Sequence, residues 1–398
     1  MKEFMSLLIS FIFMGIADSI DKAFGNSISL DAVVVVGCTA SIGQATKSLS
    51  RLGTYAYRVI RKNELKCIQL DAIAGAIIGF LVFLFKDNIV SLYALTDIQR
   101  ELFLQVLGQW ALYLPMYAVG NASFELVRLN NKLKLYNKGL VLFYTVEILS
   151  DAFVYTFTKS LPLLYFTTSI CQIIATIYFL NKARFEYEWI TLQFIKDALP
   201  YGIATAIERF MNGIAYMVYG VFASRMSSFC LAIHSVCIGA ITTSETITNA
   251  YGSALMIKVP LNGDFDSINK EIRKWGKRLF GLMLILYAGY SFLSLYISKG
   301  NVLFCDLFPW SIFYMLAFFG LFLCESMKVL CINLKYVKVL PLGVTIGLLF
   351  RLSVAWVGLS TNYPLIFFGL ASSFDWAIRG VVYYIAVNRA NHKSGDVF

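Results

Sequence analysis

Two glutamates stand inside runs that are long and apolar enough to cross a bilayer. Glu208 lies in IATAIERFMNGIAYMVYGVF, and Glu325 lies in MLAFFGLFLCESMKVLCI. A carboxylate at the centre of a membrane helix costs about 2.5–3.5 kcal/mol on insertion scales, so such a residue indicates a functional site by default. A chain that keeps acids there is expected to move something charged across the membrane.

The two acids differ in their expected surroundings. Arg209 follows Glu208 but projects about 100° away around the helix, so the two are not expected to pair. Glu208 therefore requires a partner from another helix, a proton or a bound cation such as Na⁺. Glu325 lies near the end of its run and is either a functional acid or an interfacial residue whose carboxylate reaches the headgroups.

Further ionisable residues occur in apolar runs, and their spacing suggests different roles. Asp375 and Arg379 are four apart on one helical face, which predicts an internal salt bridge. Glu147 and Asp151 have the same spacing and like charge, so either they share a proton or a cation or arginine lies between them. The other members of this group are Asp18, Asp21, Lys22, Lys47, Arg209, Glu245 and Arg351.

Near the amino terminus, Asp18 and Asp21 are about one helical turn apart. They could coordinate a cation together, or Lys22 could neutralise one of them. His234 lies in an apolar run, where a packing histidine is favoured over a proton relay.

The elements that carry these residues are predicted to be membrane helices. The chain is 58% hydrophobic and only 15% charged, against about 25% charged for soluble domains. Its apolar runs are continuous, which excludes the alternating pattern of a membrane barrel. Twelve spans fit, at residues 4–25, 30–55, 68–86, 102–127, 138–158, 162–181, 197–222, 228–256, 278–298, 303–327, 338–359 and 364–388.

The net charge of +10 is explained by topology rather than by nucleic acid, because the basic residues cluster in alternate short loops. This bias places the basic loops and both termini in the cytoplasm. The longest basic loop, from about Lys258 to Arg278, is predicted to be an amphipathic segment at the headgroups.

Enzyme motifs are missing from the sequence. There is no Walker A sequence, no GxSxG and no HExxH, and none of the eight cysteines forms a CxxC pair. We predict that the chain is not an enzyme and needs no cofactor or resident metal.

A weak internal repeat divides the chain near its midpoint. Ungapped alignment of the segments that begin at Cys38 and Cys237 also matches Gly53 with Gly252 and Asn63 with Asn262. Six spans in each half predict two parallel lobes, residues 1–185 and 186–398. Transporters use such paired bundles to hold a substrate between them and to alternate access.

Short motifs occur in order along the whole chain: Leu114-Pro115 in the fourth span, Leu199-Pro200 opening the seventh span before Glu208, Glu325 in the tenth, Arg351 in the eleventh, and Asp375 with Arg379 in the twelfth. These motifs resemble those of the multidrug and toxic compound extrusion (MATE) transporters of the flippase-like exporter superfamily. The chain departs from the family in its short length and in the CINLKYVK ending of the tenth span.

The resemblance implies two six-helix lobes that form a V around a central cavity. It implies antiport of H⁺ or Na⁺ against organic, cationic or amphipathic compounds, with coupling acids at Glu208, Glu325 and either Asp18 or Asp21. We expect a small-molecule substrate, a monomer and a location in the plasma or inner membrane. The alternative is a flippase of lipids or lipid-linked oligosaccharides, although twelve spans and buried acids favour the antiporter.

Overall fold

Helices make up all of the regular structure in the part of the chain that the computed structural model describes. That part comprises residues 6–10, 13–14, 24, 28–93, 95–183, 185, 188–223, 225–258, 265–297 and 304–395. From residue 30 onward the helices are α1 (Leu30–Leu49), α2 (Leu52–Ile60), α3 (Glu64–Leu84), α4 (Lys86–Ser91), α5 (Asp97–Leu129), α6 (Leu133–Phe157), α7 (Leu161–Ala183), α8 (Leu192–Ala223), α9 (Ser228–Lys258), α10 (Phe265–Ile297), α11 (Phe304–Met315), α12 (Ala317–Asn333), α13 (Val339–Leu359) and α14 (Pro364–Gly395).

Seven segments among the described residues are long and apolar enough to cross a membrane. They are α3, α5, α6, α7, the α11–α12 segment Cys305–Asn333, α13, and the Pro364–Arg389 part of α14. The helices α8, α9 and α10 cover nearly all of the predicted seventh, eighth and ninth spans, and α10 begins earlier than predicted, at Phe265 within the predicted basic loop. The predicted all-α, multi-pass membrane fold is confirmed, while most of the predicted first span lies outside the described residues.

Three other helix assignments differ from the predictions. The predicted second span is two helices, α1 and α2, which are separated at Ser50 and Arg51. The predicted tenth span is likewise divided into α11 and α12. Pro200 does not open its helix, because α8 begins at Leu192 and contains this proline.

The break between α1 and α2 is stabilised by a buried acid from α3. Arg51, at the start of α2, offers no side-chain cap to the helix. Instead, the Asp71 carboxylate accepts from the backbone N–H of Gly53 at 2.5 Å and of Thr54 at 3.0 Å, and also from the Thr54 hydroxyl. These N–H groups have no partner within a helix, so the carboxylate takes the role of an N-cap.

A proline and a glycine face each other between α5 and α3. Pro115 lies inside α5, and because proline has no N–H the Ala111 carbonyl lacks its usual helical donor. A Cβ added to Gly79 of α3 would overlap this carbonyl oxygen. The missing side chain at Gly79 thus lets the α3 backbone approach the carbonyl that Pro115 leaves exposed.

Packing divides the chain into two compact units, Lys2–Gly213 and Ile214–Phe398. In the first, α5 packs extensively against α3 and α7; in the second, α14 packs against α12 and α13. The division falls inside α8, and the predicted lobes of residues 1–185 and 186–398 stay a prediction.

Candidate functional site

Glu208 belongs to a polar stripe on one face of α8. Thr205, Glu208 and Asn212 follow one another at spacings of three and four residues, which places them along a single helical face. Their exposed fractions are 1%, 3% and 6%. The stripe brings a hydroxyl, a carboxylate and an amide together in a buried setting, and these oxygen-bearing groups suit a proton or a hard monovalent cation.

The expectation that Glu208 and Arg209 would not pair is wrong. The Arg209 Nε lies 3.5 Å from the Glu208 carboxylate. The backbone directions do diverge, but the arginine stem is long enough to curve back around the helix. The Arg209 side chain is about one-third exposed to solvent, whereas the Glu208 side chain is buried.

Glu325 forms an ion pair within its own helix. Its carboxylate lies 3.9 Å from the Lys328 ammonium, and a Cβ on Gly252 would come 3.4 Å from the carboxylate oxygen. Both charged side chains are buried. This arrangement places Glu325 against α9 with a cation beside it.

Glu125 of α5 repeats the pattern of Glu325. It pairs with Arg128 three residues later, just as Glu325 pairs with Lys328. The Arg58 Nη2 also donates to Glu125 at 2.8 Å, which ties α2 to α5. Burial lowers the pKa of the Arg58 guanidinium, and the nearby Glu125 carboxylate opposes that shift. The two acids follow Gly53 and Gly252, the glycines matched in the repeat, at nearly the same distance along the chain.

The predicted salt bridge between Asp375 and Arg379 is present and almost completely buried. Arg379 Nε and Nη2 lie 2.5 and 2.7 Å from the two carboxylate oxygens. Arg351 joins from α13 with its Nη1 at 3.4 Å from Asp375, and its guanidinium lies 4.0 Å from the centre of the Tyr219 ring. The cluster carries two positive charges and one negative charge inside its bundle.

Glu147 and Asp151 are both buried on α6. The Thr167 hydroxyl of α7 donates to Asp151 at 3.0 Å. A shared proton on this pair of acids stays a prediction.

The remaining residues predicted from the sequence lie outside the ion pairs described above. Glu245 is half-buried on α9, and its backbone carbonyl accepts from the Thr248 hydroxyl at 2.8 Å. Asp18, Asp21 and Lys22 lie outside the described residues. His234 is buried with its Nδ1 2.7 Å from the Tyr314 hydroxyl, which agrees with a packing role.

The residues in these arrangements that were not singled out from the sequence include Asp71, Glu125, Thr205 and Asn212. Spacing around Glu208 is the signal that would have found Thr205 and Asn212. Asp71 interrupts an apolar run, and Glu125 stands three residues before a basic residue. Among the described residues no group of three or more His, Cys, Asp and Glu side chains could hold a metal ion.

The fold matches solved structures of MATE transporters along nearly its whole length. A MATE in complex with MaD5 matches 98% of this chain and 95% of its own, with TM-score 0.78 and 13% identity. The Vibrio cholerae transporter VcmN, solved as a mutant, matches 98% and 96%, with TM-score 0.77 and 12% identity.

A transporter of the MOP superfamily from Pyrococcus furiosus, described as having a binding pocket of reverse polarity, covers 98% of this chain and 94% of its own, with TM-score 0.72 and 13% identity. Neither a family model nor a curated protein matches the sequence. The chain therefore has the fold of the MATE transporters, at an identity that shows the fold alone.

Proposed function

We propose that this chain is an antiporter that exports organic, cationic or amphipathic compounds in exchange for H⁺ or Na⁺. The observation that carries the proposal is the buried Glu208 stripe in a chain with the MATE fold. Because a buried carboxylate is costly in a membrane, its retention is explained if it takes up and releases a cation during transport.

Coupling would proceed through the charge on Glu208. With an ion or proton bound, the stripe is close to neutral and can be buried away from water. After release, the carboxylate regains its charge and favours a state in which water or Arg209 stabilises it. The ion thereby shifts the balance between two conformations of the transporter, and alternating access between two lobes follows from that shift.

The chemistry of the stripe fits both candidate ions, but in different ways. A proton needs only the Glu208 carboxylate. Na⁺ needs several oxygens, and the Thr205 hydroxyl and Asn212 amide would add to the carboxylate. Glu325, with Asp18 or Asp21, remains a further proposed coupling acid.

Several other predictions accompany this proposal. The partner is a small molecule, and matched structures include MATE in complexes with MaD5 and Br-NRF. We further propose that the protein acts as a monomer in the cell membrane with both termini in the cytoplasm, uses no cofactor besides the coupling ion and catalyses no reaction. The lipid flippase is the less favoured function, because the solved structures that share the fold include multidrug resistance transporters.

The test is transport by purified protein in liposomes with an imposed H⁺ or Na⁺ gradient and a fluorescent organic cation. Glu208→Gln should abolish gradient-driven transport while the protein still inserts and folds. Glu101→Gln, which changes an exposed acid on α5, is the matched control and should transport normally.

Three further outcomes separate the alternatives. Thr205→Val should raise the Na⁺ concentration needed for half-maximal transport if Na⁺ is the coupling ion, and should leave proton-driven transport unchanged. Coupled transport by Glu208→Gln at the wild-type rate would disprove the assignment. Gradient-dependent translocation of a labelled lipid, without transport of any cation, would establish the flippase instead.

A further inference from the structure

Three aromatic rings of α5 surround the ammonium group of Lys47. The Lys47 Nζ lies 5.0 Å from the centre of the Trp110 ring, 5.3 Å from that of Tyr113 and 4.9 Å from that of Tyr117. Each distance is within the range of a cation–π contact. We call Trp110, Tyr113 and Tyr117 the aromatic cage.

The cage is held in place by its surroundings. Trp110 donates its indole N–H to the Thr46 hydroxyl at 3.1 Å, which fixes the ring against α1. Gly43 gives the indole room, since a Cβ there would lie 3.0 Å from the ring. Tyr165 of α7 packs edge-on against the indole at 5.8 Å between ring centres. These contacts fix the position of the Trp110 ring within the bundle.

The rings within the cage also support one another. The centres of Trp110 and Tyr113 are 4.9 Å apart, and those of Tyr113 and Tyr117 are 5.4 Å apart. Trp110 and Tyr113 are each 4% exposed, whereas Tyr117 is only half-buried. The cage thus has two buried walls, Trp110 and Tyr113, and one partly exposed wall, Tyr117.

The position of the cage makes a lysine there unusual. All three rings lie in the central part of α5, a helix apolar and long enough to span the membrane. An ammonium at this depth carries a large cost, and it indicates function more often than packing. The rings offset that cost because their faces are negative.

We propose that the aromatic cage is a binding subsite for the alkylammonium group of a substrate, and that Lys47 occupies it when substrate is absent. The inference rests on the proposed export of organic cations. The rings recognise an ammonium group whatever molecule carries it, and a lysine side chain is a tethered ligand of the same chemistry. Its flexible four-carbon stem allows it to withdraw when a substrate enters.

A tethered competitor lowers the apparent affinity for a free one, because part of the protein has its subsite occupied. Removal of the Lys47 charge should therefore strengthen binding of an alkylammonium compound, whereas removal of a ring should weaken it. A lysine that merely neutralises a buried acid would show neither effect.

The experiment measures binding of choline to the full-length protein in detergent by isothermal titration calorimetry, without an H⁺ or Na⁺ gradient. Lys47→Gln should bind choline about fivefold more tightly than wild type, or better, as expected for loss of a cation–π competitor. Lys47→Arg, which keeps a cation in the cage, should not. The neutral isostere 3,3-dimethyl-1-butanol should bind no more tightly to Lys47→Gln than to wild type.

Further variants separate the cage from general effects. Tyr117→Leu in the Lys47→Gln background should lose the gain, and thermal unfolding confirms that each variant is folded. Lys86→Gln is the matched control, because Lys86 contacts the single ring of Phe83 at 4.7 Å and should not alter choline binding. If Lys47→Gln binds choline no better than wild type, or if Tyr117→Leu has no effect, the subsite is disproved. If Lys47→Gln binds choline as expected but the protein transports no organic cation in liposomes, the subsite is kept and the proposed export function is disproved.

Discussion

The Asp375 carboxylate receives two parallel hydrogen bonds from Arg379, and both side chains are almost completely buried, with exposed fractions of 0% and 1%. Arg351 approaches the same carboxylate from a second helix at 3.4 Å. One carboxylate thus contacts two guanidinium groups, so its removal should strongly lower the stability of this bundle.

Asp375→Asn should destabilise the protein by about 3–5 kcal/mol, the usual cost of removing one partner of a buried ion pair. The substitution keeps the shape but removes the carboxylate charge that Arg351 and Arg379 both contact. The measurement is thermal unfolding of the purified protein in detergent. Asp87→Asn, at an exposed site, should have no such effect. If Asp375→Asn unfolds at the wild-type temperature, the pair does not stabilise the bundle.

Asp71→Ala should destabilise the fold through the start of α2. The substitution deprives two backbone N–H groups and the Thr54 hydroxyl of their acceptor, at a cost of about 1–3 kcal/mol. Thr54→Val, which removes the hydroxyl alone, should cost less. Hydrogen exchange of Gly53 and Thr54, followed with global unfolding, tests the claim. An unchanged exchange rate in Asp71→Ala would contradict the capping role.

Gly53→Ala should destabilise the protein by about 1–3 kcal/mol, as expected where an added methyl group cannot be accommodated. A Cβ at Gly53 would overlap the Cys67 backbone carbonyl, which cannot rotate away. Gly108→Ala is the matched control, since nothing lies within 4 Å of its Cβ position. The two variants should differ clearly in thermal unfolding, and equal stabilities would argue against the close approach of α2 and α3.

Glu325→Gln is expected to lower both stability and gradient-driven transport, because Glu325 pairs with the buried Lys328 and is a proposed coupling acid. The substitution removes the carboxylate charge beside Lys328, as Glu125→Gln would beside Arg128 in the matching position. Transport in liposomes and thermal unfolding, measured on the same preparation, distinguish the two effects. Gradient-driven transport at the wild-type rate in this variant would show that Glu325 is not a coupling acid.

Local spacing predicted the arrangements that lie within one helix. The pair Asp375–Arg379 follows directly from a spacing of four residues, and most spans follow from apolar runs of sufficient length. The ion pair of Glu208 and Arg209 was excluded from the sequence because backbone direction alone ignores the reach of an arginine stem.

Arrangements that join different helices could not be predicted in the same way. Asp71 caps a helix whose existence depends on a break at Ser50, and no proline or glycine marks that break. Lys47 was recognised as an intramembrane cation, but its cage is formed by rings on a helix distant along the chain. The sequence shows the aromatic residues of α5 without showing which of them face α1.

The contact between Gly79 and the Ala111 carbonyl has an evolutionary consequence. Pro115 creates the exposed carbonyl, and Gly79 permits the neighbouring backbone to cover it, so each residue is tolerated because of the other. In related sequences the two positions should therefore change together: a chain that loses the proline should no longer require the glycine, and one that keeps the proline should rarely accept a larger residue at position 79.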